Sequence, residues 1–470
     1  MTPSPTHQYR AAMHRALALL APLALAISST AHAAEITDVA SSFDEGNPFD
    51  FRFRVRYDNY YKQAQIKRET SGLSGSQDAI KTFRDLVYKE RRDQFTIRAE
   101  IGLFHDLMLH VELPVILRMT TEYHYDQLQG GDCAFGGDMN PNCVNADNST
   151  TIRDGIVPAA GYDANNSGVA IANQGTLLFR GVERGATAGG GGNAFDTVNL
   201  GLSWAPLSQK RDSTKPTWLI AIEGQVSIGN IRKFDRSKPN ANHGVSEGVH
   251  RIVFRTAISR RTKFLEPYVG FSYLMPIARS GSLYVDYGRS EKTKKPQMSA
   301  SAVFGFEAIP YEHSSKNYKF VVDFRGRLEG KFDGRGYSEG FEIFASSPAL
   351  GCDAAYNLAC DATRTKNAYQ GAANTGISVI ENHAIVGADV AIGGQISKYF
   401  QLRAGFSYTW NQPHAITNDD VGKPLQGNGR VTLPEEFNPA YRPIVDQVGR
   451  RYRVENSSLY NGWIWAQVMF

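Results

Sequence analysis

Residues 49–58 read FDFRFRVRYD and alternate strictly between apolar and charged side chains. The odd positions carry Phe, Phe, Phe, Val and Tyr, and the even positions carry Asp, Arg, Arg, Arg and Asp. Because successive side chains of a β-strand point to opposite faces, the pattern predicts a strand with one apolar and one charged face. In a soluble sandwich, a face carrying Arg52, Arg54 and Arg56 would contact bulk water, and the rest of the chain decides whether it does here.

The same alternation recurs along the whole chain. Eleven further segments show it, at 94–103, 107–118, 197–204, 218–229, 251–259, 265–275, 299–308, 320–332, 384–396, 400–410 and 461–470. Most are close to the ~10 residues with which a tilted strand crosses a bilayer. Short or moderate connections follow the even-numbered segments and long connections follow the odd-numbered ones. This alternation is typical of an all-β, antiparallel, up-and-down transmembrane β-barrel with short periplasmic turns and long extracellular loops.

The predicted strand number is twelve, and fourteen is the alternative. The segments FEIFA (341–345) and RRYRV (450–454) have enough apolar alternation to add one hairpin. The segment 76–94 is expected in the first long loop, as a short amphipathic helix with Ile80, Phe83 and Val87 on one face or as a loop that packs on itself.

The first 33 residues have the organisation of a secretory signal peptide. Arg10 and Arg15 precede an apolar run at 16–27, and Ala31-His32-Ala33 provides a small-residue cleavage site. The run is shorter than the ~20 residues of a transmembrane helix. We therefore expect a signal peptide at 1–33, a periplasmic N-terminal segment at 34–48 and an outer-membrane barrel at 49–470.

The four cysteines form two close pairs in polar, glycine-containing stretches. Cys133 lies near Cys143, and Cys352 lies near Cys360. In an exported chain such pairs are disulfide candidates, and their positions place both in long loops. A zinc site is the weaker interpretation because neither spacing matches a zinc knuckle. The loop 130–148 has oxygen ligands at calcium-loop spacing but Ser149 in place of the closing Glu, so calcium binding stays open.

The chain ends on a strand whose last residue is Phe470. In this it resembles bacterial outer-membrane β-barrel proteins, whose last strand typically ends in a Phe that the barrel-assembly machinery recognises. Val468 departs from the usual aromatic residue two positions earlier. The resemblance implies a Gram-negative outer membrane, contact with its lipid and insertion by that machinery, with Phe470 as the assembly signal.

If the apolar faces contact lipid, the charged faces line a lumen. The basic lumen candidates are Arg52, Arg54, Arg56, Arg98, Arg251, Arg255, Arg325, Arg327, Lys331 and Arg403, with Arg118 on the same predicted face. The acidic candidates are Asp50, Glu100, Glu112, Glu223, Asp323, Glu329 and Asp389, with Asp58, Glu266 and Glu307. Eleven basic positions against ten acidic ones exclude a simple cationic funnel.

Two arginine ladders, on the first and ninth predicted strands, suggest a function. Guanidinium groups bind carboxylates and phosphates in bidentate fashion, so each ladder suits the passage of anions. The pattern resembles twelve-stranded, arginine-lined channels for acidic sugars, which implies a channel for small polar, anionic solutes. The alternative is a closed structural barrel in which each arginine pairs with an acid and the extracellular loops bind partners or ligands.

Other functional classes find little support in the sequence. The mature charge of +2 that remains after removal of 1–33 argues against a nucleic-acid partner. The pair His110 and Glu112 has no serine motif nearby, so we do not expect an enzyme. We likewise expect neither a cofactor nor a bound metal.

Overall fold

The computed structural model of the chain describes residues 34–44, 48–70, 81–126, 144, 149–158, 177–189, 193–234, 244–347, 349–350 and 374–470. The predicted signal peptide, all four cysteines and most of the loop 130–148 lie outside these residues. The pairing of the cysteines and the calcium question therefore stay predictions.

The described residues form mainly β-strands. In chain order the strands are β1 (Phe51–Thr70), β2 (Lys81–Phe104), β3 (Leu107–Tyr125), β4 (Leu177–Arg184), β5 (Thr197–Leu207), β6 (Thr217–Ser227), β7 (Val249–Ser259), β8 (Leu265–Ala278), β9 (Ser299–His313), β10 (Tyr318–Lys331), β11 (Gly334–Gly336), β12 (Ser378–Ile380), β13 (His383–Ser397), β14 (Phe400–Asn411), β15 (His414–Ala415) and β16 (Tyr452–Met469). Short α-helices lie at Thr150–Arg153, Ala186–Gly189, Phe341–Ser346 and Pro443–Asp446, and 3-10 turns at Glu35–Thr37, Ser314–Lys316 and Pro434–Glu436. Among the described residues, no helix is long and apolar enough to cross a membrane.

Twelve of these strands close into an antiparallel barrel. Strands β1, β2, β3, β5, β6, β7, β8, β9, β10, β13, β14 and β16 pair in that order, and β16 pairs back to β1 with Arg54 opposite Gln467. Strand β4 adds to β3, β15 adds to β16, and β11 pairs with β12 in a separate small sheet. The prediction of twelve strands is confirmed.

The two faces of the barrel have the predicted polarity. Large apolar side chains project outward, and Phe304, Phe324 and Ile392 are among those with about half of their surface exposed. On the inner face, charged residues such as Glu223 and Asp323 are buried. Because a lipid bilayer solvates apolar side chains and offers no partner to a charge, this inverted arrangement suits hydrocarbon outside and a polar lumen inside.

The connections sort by length as expected. Short turns lie at 105–106, 208–216, 260–264, 314–317 and 398–399, at the end of the barrel that also holds Phe51 and Phe470. Long connections lie at the other end, which the convention for such barrels makes the extracellular end.

Several local expectations are wrong because the strands extend past the membrane. Residues 81–94 continue β2 and do not form the expected helix, and 450–454 belongs mainly to β16. The segment 341–345 is a buried helix and not part of a hairpin. The sequence did not reveal these extensions because both faces of the strands carry polar side chains there. The alternation of apolar and charged residues is absent where neither face contacts lipid.

A substitution on the outer surface tests the lipid assignment. Phe304 lies near the middle of β9 and is 58% exposed, so Phe304→Arg would place a guanidinium in hydrocarbon. We expect the free energy of unfolding in lipid vesicles to fall by about 2–4 kcal/mol, measured by urea titration. Phe304→Leu is the control and should lose much less. An unchanged value for the arginine variant would contradict the assignment.

Candidate functional site: the barrel lumen

The first described residues, Ala34–Asp44, lie inside the periplasmic end of the barrel. The 3-10 turn Glu35–Thr37 contacts strands on one side, where the Thr37 and Ser259 hydroxyls are 2.7 Å apart. Further along, Ile36, Val39 and Ala40 pack on a small apolar patch of the lumen wall formed by Met108, Ala205, Leu219, Ala221 and Ala257. The segment leaves through Ser42, whose N–H donates to the Phe104 carbonyl. It therefore crosses the lumen from one wall to the other.

Glu35 joins the two arginine ladders. Its carboxylate oxygens lie 3.7 Å from Arg54 Nη1 on β1 and 3.6 Å from Arg325 Nη2 on β10. Arg403 on β14 is also 3.5 Å away. The two ladders therefore meet at this carboxylate, which belongs to the N-terminal segment and not to either strand.

The first ladder is held by acids of its own strand and of the N-terminal segment. Arg52 donates to Asp38 at 2.6 Å and to Asp50 at 2.9 Å. Arg56 forms a bidentate pair with Asp58 at 2.8 and 2.7 Å. Arg54 donates to Gln467 of the closing strand at 2.8 Å. Asp38 thus draws the segment toward β1, in addition to Glu35.

The second ladder is paired less completely. Arg325 donates to Asp323 at 3.0 Å. Arg327 reaches Asp389 only at 3.5 Å, and its buried Nε has no hydrogen-bond partner among the described residues. Arg325 and Asp389 are opposite each other in the sheet, yet Arg325 pairs with Asp323 and Glu35, and Asp389 pairs with Arg327. Side-chain reach, and not strand register, decides the partner.

The remaining predicted lumen residues fall into separate groups. Arg98 bridges Glu100 and Glu112 at 2.6 and 3.1 Å. Glu223 accepts from His110 and Arg255, so His110 is part of the polar wall.

Arg251 and Lys331 line a smaller cavity near the extracellular end, and Arg251 pairs with Glu247. Arg403 contacts Glu307 and Asp323 at the periplasmic end. Glu329 lines the same lumen cavity as Arg54, Arg98 and Arg325.

A cavity of about 510 Å³ lies on the extracellular side of the N-terminal segment. Seven arginines and five carboxylates line it: Arg52, Arg54, Arg56, Arg98, Arg255, Arg325 and Arg327, and Glu35, Asp38, Glu100, Glu112 and Glu329. A second cavity of about 310 Å³ opens on the periplasmic side, where Asp38, Lys398 and Phe470 are part of its lining. The N-terminal segment separates the two.

The extracellular end contains its own buried core. Buried side chains from strand ends and long connections pack together there, among them Ile66, Leu86, Tyr123, Ile156, Ile343, Phe344, Ile416 and Tyr452. Beside this core, Glu342 of the helix Phe341–Ser346 pairs with Arg184 at 2.9 Å and with Arg232 at 3.1 Å. These contacts bring connections that are distant in sequence together over the lumen.

The carboxyl group of Asp446, which is buried in the extracellular connections, has a raised pKa. Burial raises the pKa of Asp446, and the nearby Asp419 carboxylate raises it further. Asp446 accepts the Arg442 N–H at 2.8 Å. The folded loop therefore holds a proton that the unfolded loop releases above about pH 4. The stability of this loop must fall as the pH rises above that value.

This linkage predicts pH-dependent proteolysis. We expect trypsin to cut the segment 412–451 at least about tenfold faster at about pH 8 than at about pH 5, after correction for trypsin's own pH profile, because one pKa unit corresponds to a tenfold change in equilibrium. Asp446→Asn should remove most of the difference. Asp420→Asn, at a half-exposed neighbour that pairs with Lys292, is the control. Equal pH dependence in the Asp446→Asn variant would contradict the assignment.

The closed cylinder, with apolar side chains outside and ion pairs inside, identifies the class of protein. The chain is a bacterial outer-membrane β-barrel. No family model and no curated protein matches the sequence. Among solved structures, an outer-membrane channel of Pseudomonas putida F1 is similar over 95% of this chain and 100% of its own, at 8% identity and a TM-score of 0.35.

Two further solved structures show likeness at the same level. The Pseudomonas putida toluene transporter TodX has 9% identity and a TM-score of 0.29, with 89% of this chain and 90% of its own covered. The translocator domain of the autotransporter NalP from Neisseria meningitidis has 9% identity and a TM-score of 0.28, with 88% of each chain covered. Likeness this distant assigns no function, which must come from the lumen of this chain.

The main feature that sequence reasoning missed is the lumen position of 34–44. Two signals pointed to it. Acidic Glu35 and Asp38 follow directly after the predicted cleavage site, and they complement the arginine ladders. The apolar side chains of Leu219, Ala221 and Ala257 interrupt the charged lumen faces of β6 and β7. Such an interruption indicates that another apolar segment of the chain packs on this part of the wall.

Proposed function

We propose that this protein is an outer-membrane channel for small polar solutes with a preference for anions, and that the N-terminal segment 34–44 closes it. The observation that carries the proposal is the lumen cavity of about 510 Å³, lined by seven arginines and five carboxylates. A bore filled by side chains alone would leave no such space, and twelve strands form a barrel between the packed and the open sizes.

The arginines with most free surface are the proposed solute contacts. The side chains of Arg56, Arg255 and Arg327 are 32%, 43% and 39% exposed, and all three face this cavity. Guanidinium groups that keep free N–H donors bind carboxylates and phosphates readily. A solute anion in the cavity would therefore meet donors that the lumen acids leave available.

The carboxylate of Glu35 is the proposed competitor for these solutes. It stands between Arg54, Arg325 and Arg403, at 3.5 to 3.7 Å from each. These distances are longer than those of direct charge-assisted hydrogen bonds, so the contacts are weak individually. Arg54 and Arg325 also line the cavity, so a mobile anion that binds either of them in place of Glu35 weakens the hold on the segment, which couples solute binding to opening.

Removing the segment tests the channel directly. In planar bilayers we expect the chain that starts at residue 45 to conduct at least about twofold more than the chain that starts at Ala34, because the barrier between the two cavities is gone. Glu35→Gln should give an intermediate increase in open time. Glu435→Gln, in an extracellular 3-10 turn, is the matched control. Silence of the truncated barrel would contradict the channel proposal.

Ion selectivity tests the role of the arginines. We expect a reversal potential that indicates anion preference, and Arg327→Gln should lower the anion-to-cation permeability ratio by roughly twofold, because a fixed lumen charge attracts counter-ions. Arg260→Gln removes the same charge from an exposed periplasmic turn and should have little effect. A cation preference of the unmodified protein would contradict the anionic assignment.

The second candidate function is a non-conducting barrel that anchors a complex or binds ligands through its extracellular connections. The buried extracellular core and the two ion pairs of Glu342 favour it, because they hold side chains of several extracellular connections together at that end. It predicts that the barrel without the N-terminal segment shows no conductance in planar bilayers. It also predicts that the protein copurifies with partners that bind the extracellular connection 412–451.

Three expectations from the sequence complete the proposal. The signal peptide 1–33 is removed on export, Phe470 serves as the signal for the barrel-assembly machinery, and the cysteine pairs form loop disulfides. Phe470 is exposed, and its N–H donates to the Phe51 carbonyl at 2.9 Å, so it ends the chain at the β1–β16 closure.

A further inference from the structure

Two glutamates lie side by side where the N-terminal segment begins. Glu266 on β8 is directly opposite Glu307 on β9, and both are almost fully buried. The Ala34 nitrogen is 2.5 Å from Glu266 Oε1, and the Glu35 nitrogen is 3.2 Å from Glu307 Oε1. Like charges opposite each other in a sheet repel, so this pair of carboxylates needs compensation.

Only one of the two glutamates has a cation in contact. Arg403 donates to Glu307 at 2.9 Å. Among the described residues, no cationic side chain lies within ion-pair distance of Glu266, and Lys319 attracts it only from farther away. Its Oε1 accepts from the Ser259 hydroxyl at 2.8 Å, and its buried Oε2 has no hydrogen-bond partner within the part of the chain that the structure describes. Burial without a counter-charge disfavours the ionised form of a carboxyl group.

The missing cation coincides with the predicted end of the mature chain. Cleavage after Ala33 converts the nitrogen of Ala34 from a neutral amide with one N–H into an ammonium with three, because α-amino groups have a pKa of about 8. We propose that Glu266 is the docking site for the α-ammonium group that signal-peptide removal creates, so that processing allows the N-terminal segment to seat in the lumen.

The positive charge of the ammonium group and its additional N–H donors both stabilise its contact with Glu266. The ammonium supplies the counter-charge that Glu266 lacks, and a further N–H can reach the unsatisfied Oε2. Thr37 supports this geometry, because its N–H donates to the Ala34 carbonyl at 2.9 Å. An unprocessed chain offers one neutral donor and must also lead residues 1–33 away from a buried position. The segment should therefore seat after cleavage and not before it.

The first test is the mature terminus itself. We expect the mass of the protein purified from outer membranes, after expression with its own leader, to correspond to a chain that starts at Ala34. A different terminus would overturn the proposal, because the ammonium would then lie away from Glu266.

The second test measures access to the α-amino group, which requires no conductance and so stays separate from the channel proposal. The chain is produced as a fusion that a protease cuts directly before Ala34, and it is refolded in detergent. Reaction with an aldehyde selective for α-amino groups is followed by mass spectrometry. We expect the folded barrel to react at least about tenfold more slowly than a Gly-Ser-extended chain, whose amine cannot stay at Glu266.

Glu266→Gln in the unextended chain should react as fast as the extended chain, because the counter-charge is lost. In the extended chain the same substitution should add nothing further. Glu329→Gln, a lumen substitution remote from Ala34, is the matched control and should keep the slow reaction. Heat-dependent gel migration establishes folding of every form. If Glu266→Gln does not fold, the comparison with the extended chain decides. Equal rates for the Ala34 chain and the extended chain would overturn the proposal.

Discussion

The structure depends on one constraint, that backbone N–H and C=O groups find no partner in hydrocarbon. A sheet can meet it only when its first and last strands pair, as β1 and β16 do with Arg54 opposite Gln467. Once the cylinder is closed, alternation along each strand separates lipid from lumen. Every charged side chain on the inner face must then be compensated within a narrow space, and the ion-pair network follows from that need.

The N-terminal segment belongs to this network more than to the sheet. Glu35 and Asp38 supply carboxylates to arginines of β1, β10 and β14, while Ile36, Val39 and Ala40 cover the apolar patch on β3, β5, β6 and β7. Its charged side faces the ladders and its apolar side faces the patch. A segment with the charged side alone would leave the alanines of the patch without apolar contacts. A segment with the apolar side alone would leave the arginines without these carboxylate partners. The lining of the lumen is therefore formed by the barrel and the segment together.

The lumen is nearly neutral in sum but uneven in space. Arg52, Arg56 and Arg98 have carboxylate partners at 2.6 to 2.7 Å, whereas the carboxylate partner of Arg327 among the described residues lies at 3.5 Å. Uneven pairing leaves part of the guanidinium surface of Arg255 and Arg327 exposed to the cavity. Overall charge counting along the strands gave eleven against ten and could not reveal this difference, because it arises from side-chain reach across the bore.

The sequence by itself determined the class of fold and the polarity of both faces, because period-2 alternation and loop length are local properties that a bilayer constrains strictly. It left twelve and fourteen strands open, and the pairing of β16 with β1 decided for twelve. It did not reveal how far β1, β2, β3 and β16 extend, since alternation stops outside the membrane. Only the tertiary structure brought Glu35 between the two ladders and the Ala34 nitrogen to Glu266. These contacts join residues far apart in the chain, and their partners are chosen by distance across a closed lumen, which no local pattern records.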